Sequence, residues 1–233
     1  MKYKLARPVF SDALTQLLER ELKKQKTYLS KASDKVLEQM AKLIPVIKKQ
    51  GLPSAFILKK LPDPMGSGVF LRPNAEPLFK GTLIGSYGGE AYISVQNSPD
   101  DSAYAFAPLE DMLLLKQEQE LLDPKRKFHP RRLYMMNIDA EKKGNFTRFI
   151  NHSQEPNIEA RILKVPKNRY GLSPSPCEVI YFVKKKINPG EQLLVCYEDE
   201  EGSYWGPLKL KPEPLFAKTF TVNTQLKLID HRL

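Results

Sequence analysis

Residues 138–157 read Ile138-Asp139-Ala140-Glu141-Lys142-Lys143-Gly144-Asn145-Phe146-Thr147-Arg148-Phe149-Ile150-Asn151-His152-Ser153-Gln154-Glu155-Pro156-Asn157. The stretch emerges from an apolar run, LYMMNIDA at 133–140, with the composition of a strand. It then turns polar around Gly144 and reaches Asn-His-Ser. Taken singly, Asn151-His152-Ser153 fits the acceptor pattern for N-glycosylation. That reading needs export, and the start MKYKLARPVFSDALTQ has no apolar signal segment with a small-residue cleavage site. What the stretch does must therefore come from the segments that accompany it.

Two such segments lie on either side. Pro64-Met65-Gly66-Ser67-Gly68-Val69-Phe70 is a glycine turn before a strand, where backbone can approach a ligand closely. No helix follows it, so it is not a dinucleotide fingerprint. Gly190-Glu191 is a turn, and Tyr197 ends the apolar run after it. Between and around these segments the chain is a series of short apolar runs broken by Pro and Gly: AFILKKL, GVFL, GTLIGSY, AYISV and YAFA, then LYMMNIDA, EVIYFVKKKI and QLLVCY. Such runs predict a mainly β domain with helices, an α+β class. The spacing in LEDMLLLKQEQELL predicts a helical insert over Leu109 to Leu122, within about 108–124. The tail from Gly206 starts with prolines that bar a regular helix, and TFTVNTQLKLI at 219–229 predicts one more strand.

The first fifty residues differ. Leu14, Leu17, Leu18, Leu22 and Leu29 recur at steps that put one apolar stripe on a helix from Ser11 to Ser30. A second helix is predicted from the N-cap candidates Ser33 and Asp34 to Gly51, with Pro45 at a bend. The pair reads as a helical hairpin whose apolar faces pack on each other, on the main domain or on a second copy. Charge concentrates here: residues 1–60 hold 14 Lys/Arg against 5 Asp/Glu, or +9 of the total +10. A basic segment of this kind attracts nucleic acid or an acidic protein surface, or is a solvated helix face.

With 233 residues, 41% hydrophobic and 27% charged, the chain can bury a real core. No run reaches the roughly 18 apolar residues that cross a bilayer, so no membrane association is expected and a cytosolic start is the default. Two cysteines, Cys177 and Cys196, and three scattered histidines predict neither a disulfide framework nor a metal site.

The order of motifs resembles the SET-domain family. A Gly-x-Gly strand entry at 66–68 is followed by Tyr87-Gly88-Gly89-Glu90 and Tyr104-Ala105-Phe106. The 138–157 block comes next, with Gly144-Asn145-Phe146, Arg148-Phe149-Ile150-Asn151-His152-Ser153 and Pro156-Asn157. Gly190-Glu191-Gln192-Leu193 and Tyr197 close the series. The resemblance covers about 56–205 and implies small curved sheets with a knot-like C-terminal threading, in which the strand after the Gly-Glu turn passes under the Asn-His-Ser segment. It divides the chain into a basic helical extension at 1–52, a SET domain at 53–205 and a C-terminal segment at 206–233 that closes the active site.

The activity so implied is transfer of methyl groups from S-adenosylmethionine to the side-chain amine of lysine in a protein. The nucleophile must be neutral, yet a lysine with a pKa of ~10.4 is neutral in only about one molecule in a few thousand at pH 7. An apolar channel and the donor's positive sulfur both bias the amine towards its neutral form. By position, Tyr197 would orient the amine and polarise the methyl group. Asn151 and His152 would hold the cofactor's amino-acid end and adenine, and Met65, Gly66 and Ser67 would line it through backbone. Arg148 and Tyr104 are further cofactor contacts, with Trp205 over the adenine.

Departures from the pattern shape the rest. Gln154 stands where many relatives carry a zinc-binding Cys, and no Cys follows Cys196, so zinc is not expected. Tyr204, Trp205 or Phe216 would then close the lysine channel. Val195, two residues before Tyr197, stands where relatives commonly have Phe or Tyr, and leaves room for di- or trimethylation. The compact form is similar to SET proteins of intracellular bacteria such as chlamydiae, which implies histones or histone-like proteins as substrates and the class of a bacterial effector; the sequence itself carries no mark of export to a host nucleus, and the cytosol is the default. The N-terminal helices offer a route to a homodimer. The rival reading is a non-catalytic chromatin or nucleic-acid-binding module on a SET scaffold.

Overall fold

The computed structural model describes residues 4–24, 29–62, 66–96, 102 and 104–197. Met65, Tyr204, Trp205, Phe216 and the whole segment 206–233 lie outside these described residues. Among the described residues, three helices and ten strands follow in the order α1 (Asp12–Lys24), α2 (Asp34–Gln50), β1 (Phe56–Lys60), β2 (Ser67–Leu71), β3 (Leu83–Ser86), β4 (Glu90–Val95), β5 (Ala105–Leu113), α3 (Lys116–Leu122), β6 (Leu133–Asp139), β7 (Asn151–His152), β8 (Ile158–Val165), β9 (Ser175–Val183) and β10 (Leu194–Val195). A short 3-10 helix, Phe146–Phe149, precedes β7. Among the described residues no helix is long and apolar enough to cross a membrane.

The strands form a β1-β2 hairpin, a β4-β6-β5 sheet and a mixed sheet in the order β3-β9-β8-β10-β7. This is the mainly β architecture with helices that the apolar runs predict. β9 is buried along its whole length, as a strand covered on both faces should be. β8 has no counterpart among the expected runs. Its weak alternation, Ile158, Ala160 and Ile162 against Glu159 and Arg161, is the period-2 signal of a half-buried strand.

The helical insert expected from Leu109 is a correction. β5 continues to Leu113, and the helix runs only from Lys116 to Leu122. Against β6, Phe106 pairs Ile138, Leu109 pairs Met136 and Met112 pairs Tyr134. Each step takes three residues of β5 for two of β6, so two successive bulges each insert one residue. The inward-facing residues then recur every three positions and mimic helical spacing. Asp111, at φ 55°, sits in the second bulge.

Both predicted N-terminal helices form, but the first ends at Lys24 rather than at Ser30, and Leu29 lies outside it, where the chain runs on to pair with β8. Ser11 Oγ accepts from the Leu14 N–H and opens α1; Ser33 caps α2, and Gly51 at φ 80° ends it. α2 runs continuously through Pro45. Their apolar stripes are covered by this same chain. Leu14, Leu17, Leu18 and Ile47 join the main core, while Leu37 and Met40 pack with Val165, Ile180 and Phe182. At about 1.5–3 kcal/mol per buried aliphatic side chain, this burial holds the helices to the sheets.

The linking backbone is also laced into the sheets. Val9 exchanges hydrogen bonds with the β4 edge, and Lys164 of β8 accepts from the Ala32 N–H and donates to the Ser30 carbonyl. Leu5 reaches the Gly144 carbonyl at 2.8 Å. Gly88 explains part of the Tyr-Gly-Gly-Glu motif: a Cβ there would lie 1.7 Å from the Leu5 carbonyl oxygen, so the backbones meet where no side chain fits.

Candidate active site

The site is built around residues 190–197, which change partners along their length. They first run beside β2, with Gly190 N–H donating to the Leu71 carbonyl, Leu71 N–H to Glu191 and Leu193 N–H to Val69. Leu194 and Val195 then form β10, parallel to β7 in the register Leu194–Asn151 and Val195–His152. On its other side Val195 pairs with Ile158 of β8. A two-residue strand thus lies between the two arms of the Asn151–Ile158 segment.

Asn157 secures this insertion. Its Oδ1 accepts from Leu194 N–H at 2.8 Å, its Nδ2 donates to the Gln192 carbonyl at 2.8 Å, and its own N–H reaches Leu194. Ser153 N–H adds a bond to the Val195 carbonyl at 2.9 Å. This Pro-Asn ending was legible as part of the motif, but its clamping role was not.

Tyr197 follows directly. Its N–H donates to His152 Nδ1 at 3.0 Å, and the two rings lie 5.5 Å apart. An accepting Nδ1 is unprotonated, so a neutral His152 carries its proton on Nε2. The Tyr197 hydroxyl donates to the Ile150 carbonyl at 2.5 Å. With that proton committed to main chain, the phenol oxygen meets any ligand as an acceptor, which suits a group bearing N–H or a polarised C–H. Ile150 enters the site only through its carbonyl, and no side-chain motif signals that.

Asn151 donates from Nδ2 to the Ser67 carbonyl at 3.1 Å and so ties the Gly-x-Gly entry to the Asn-His pair. Gly66 has φ 67°, in the left-handed region that glycine tolerates, and no atom lies within 4 Å of where a Cβ would stand. The structure therefore brings Gly66, Ser67, Asn151, His152, Val195 and Tyr197 together from segments far apart in sequence. Val195 is buried in the core beside them.

Arg148 and Tyr104 form a separate pair. The buried guanidinium stacks 3.9 Å from the Tyr104 ring centroid and donates to the Ala140 and Glu141 carbonyls at 2.6 and 2.7 Å. Tyr87 Oη donates to the Tyr104 carbonyl at 2.6 Å. Arg148 thus braces the turn that leads into the 3-10 helix.

Tyr181 was not anticipated. It lies on β9, paired with Ala160 of β8 and Gly85 of β3, so small residues flank it on both sides. Burial pushes its phenol pKa well up, and the nearby Tyr87 and Tyr197 add to the shift. A tyrosine inside the otherwise apolar VIYFV run, residues 179–183, was the available signal.

The SET domain family model matches residues 66–198, more than half of the chain, and the chain belongs to this family. It is similar to the "Histone-lysine N-methyltransferase, H3 lysine-4 specific" of Schizosaccharomyces pombe, at 39% identity over 28% of this chain and 6% of that protein. It is also similar to "Histone-lysine N-methyltransferase set-2" of Caenorhabditis elegans, at 26% identity over 48% of this chain and 7% of the relative. The chain spans less than about a tenth of the length of these curated relatives. Among solved structures, ATXR5 in complex with histone H3.1 aligns at a TM-score of 0.48 and 17% identity, covering 75% of this chain and 72% of that one. KRYPTONITE, solved with mCHH DNA, an H3 peptide and SAH, aligns at 0.41 and 21% identity over 66% of this chain and 26% of its own.

Proposed function

We propose that this chain transfers methyl groups from S-adenosylmethionine to the side-chain amine of lysine in a protein, with histones or histone-like proteins as the substrate class. One observation carries the reading: the Tyr197 hydroxyl is pinned to the Ile150 carbonyl beside the Asn151-His152 pair, in a chain of the SET family. Partial relatives bearing histone-lysine methyltransferase names support the substrate class.

The residues present fit the donor's amino-acid end. Asn151 Nδ2 is engaged with Ser67, and among the described residues its Oδ1 accepts no bond, which suits it to accept from an ammonium. Gly66 and Ser67 offer backbone at close approach. When bound, the donor supplies an electrophilic methyl group on a positively charged sulfur. Tyr197 would accept an N–H from the substrate amine and fix its lone pair in line, and alignment of this kind lowers the barrier by removing orientational freedom beforehand. His152 holds Tyr197 through the main chain. The reading includes passage of the Tyr197 segment beneath the Arg148–Ser153 loop, and closure of the lysine channel by residues beyond 197.

The test is a labelled-donor assay on histones, histone-like proteins and the chain itself, paired with calorimetry using S-adenosylhomocysteine. Binding together with label on lysine is the expected result; neither binding nor label on any of these proteins would sink the reading. Val195 in place of a larger aromatic leads us to expect di- or trimethylated product, and mass spectrometry showing strict monomethylation on a good substrate would contradict that.

A further inference from the structure

Two parts of the chain are rich in Lys and Arg, and the structure uses them differently. In residues 1–60 both arginines are consumed internally, Arg7 by Glu178 and Arg20 by Glu21 and Glu118. Lys42 pairs with Glu38, and Lys4 Nζ donates to the Lys49 carbonyl. Other lysines of this segment, such as Lys31, Lys35, Lys48 and Lys49, form no ion pair among the described residues but are spread along α2 and its approach, whereas the loop between α3 and β6 concentrates its cations. Residues 123–132, DPKRKFHPRR, contain five Lys/Arg and one acid, and no further carboxylate occurs before Asp139.

Among the described residues only Arg126 of these five has a carboxylate partner, Asp123 at 3.2 Å. Lys125, Lys127 and Arg131 are exposed and form no ion pair. The loop backbone is nonetheless fixed. Buried Gln119 donates to the Arg126 carbonyl at 2.5 Å, Arg132 Nη1 donates to the Lys127 carbonyl at 2.7 Å, and Arg132 N–H reaches the His129 carbonyl. Pro124 and Pro130 stiffen it further. Cations held close together without an internal counter-charge repel one another, and an external polyanion relieves that repulsion.

We propose that this loop docks the phosphate backbone of duplex nucleic acid. A rigid turn that fans out unpaired cations matches closely spaced phosphates, Arg forks bind phosphate oxygens well, and the overall charge of +10 draws the chain towards a polyanion. A basic substrate would be repelled by this face, whereas nucleic acid carrying such a substrate attracts it. That last link rests on the histone-like substrate reading; the docking itself does not.

The experiment is fluorescence anisotropy of the full chain with a random duplex of about 20 base pairs across a salt series. Each neutralised phosphate contributes a slope of about −0.9 in log K against log salt. K125Q/K127Q/R131Q removes three charges and none of the side-chain bonds that hold the loop, so its thermal melt should match the parent. Its slope should shrink by about two to three and its affinity fall at least about tenfold at low salt. K35Q/K48Q/K49Q, an equal charge change on exposed positions of α2, should stay within about threefold of the parent. Equal loss in both variants, or no loss in the first, overturns the assignment. Anionic lipid vesicles complete the test, because exposed Leu121 and Leu133 lie on the elements flanking the loop, and exposed Leu113 pairs with Leu133 across the sheet. Vesicle binding without duplex binding also overturns it. Because binding is read without methyl transfer, its failure is distinguishable from failure of the enzyme reading.

Discussion

Towards its N-terminal side the 138–157 stretch is held by Leu5, with Arg7 next in the chain fastened to Glu178 of β9; on its C-terminal flank it is held by residues 190–197. The first clamp is charged and closes on a fully buried acid, although Leu5 and Arg7 are themselves half-buried. Asn145 donates to the Leu5 and Ser86 carbonyls, while Arg7 and the Ser86 hydroxyl meet the fully buried Glu178 carboxylate. The second clamp is neutral and half-open, made of Asn157, the Ser153 amide and His152 Nδ1, with Asn151, Cys196 and Tyr197 only half-buried. The contrast separates integrity from chemistry. A carboxylate beside a lysine amine would hold it as ammonium, so a site that needs neutral amine gains from being fastened by uncharged groups.

Arg7→Ala should have the largest effect. Among the described residues it leaves the buried Glu178 carboxylate with only the Ser86 hydroxyl as a donor, and breaking such a pair costs on the order of 3–5 kcal/mol. For a chain of this size that lowers the thermal midpoint by about 10 °C. Turnover measured well below the melt should persist, and an unshifted melt would show that the charged clamp is not structural. Tyr197→Phe reverses the pattern. Losing the hydroxyl should slow methyl transfer about a hundredfold, in line with the removal of one preorganised polar group, while the melt moves little. Turnover within a few-fold of the parent would remove Tyr197 from the chemistry.

The neutral clamp was far more legible in sequence than the charged one. Gly-x-Gly, Asn-His-Ser and Gly-Glu…Tyr are recognisable as a set, and they converge because β10 pairs with β7. β8, the other neighbour of β10, went unread because Leu163 and Lys164 break its alternation. The β5 bulges disguised a strand as a helix by changing its inward period from two to three. Arg7 gave no signal among fourteen cations, since nothing in local pattern says which one reaches a buried acid. Glu178 did give one, as a lone carboxylate inside a wholly buried run. Partners 171 positions apart are fixed only by the tertiary fold.

Asn157→Ala tests the neutral clamp itself. It strips the Leu194 amide and the Gln192 carbonyl of their side-chain partner, a loss of about 1–3 kcal/mol where those groups stay shielded from water. Because the loosened strand carries Tyr197, turnover should fall about tenfold beyond what the stability loss explains, through misplacement of the reacting groups. Asn157→Asp keeps the acceptor for Leu194 but turns an anionic oxygen on the Gln192 carbonyl, so it should fall at least as far as Ala. If Ala and Asp lower stability yet leave turnover intact, Asn157 is merely structural.

The smallest expected effect reads the dryness of the charged side through pH. Cys177 neighbours Glu178 on β9, and burial, with a lesser contribution from the Glu178 charge, pushes its thiol up to about 12. An unfolded thiol releases its proton near 9, so between about 9 and 12 the folded chain binds the proton that the unfolded chain has lost. Stability is therefore fully present below about pH 9 and declines as pH rises towards 12, by up to about 1.4 kcal/mol per pH unit. Tyr181, also shifted up, adds its own decline only from its ordinary value near 10. Urea midpoints of Cys177→Ala should accordingly fall less steeply than those of the parent between about pH 9 and 10, whatever constant offset the small cavity adds. Parallel curves would mean that the thiol senses no burial and that β9 is not the dry wall of the charged clamp. A thiol reagent gives the complementary reading: half-buried Cys196, beside Tyr197, should react in the folded chain, and Cys177 only on unfolding.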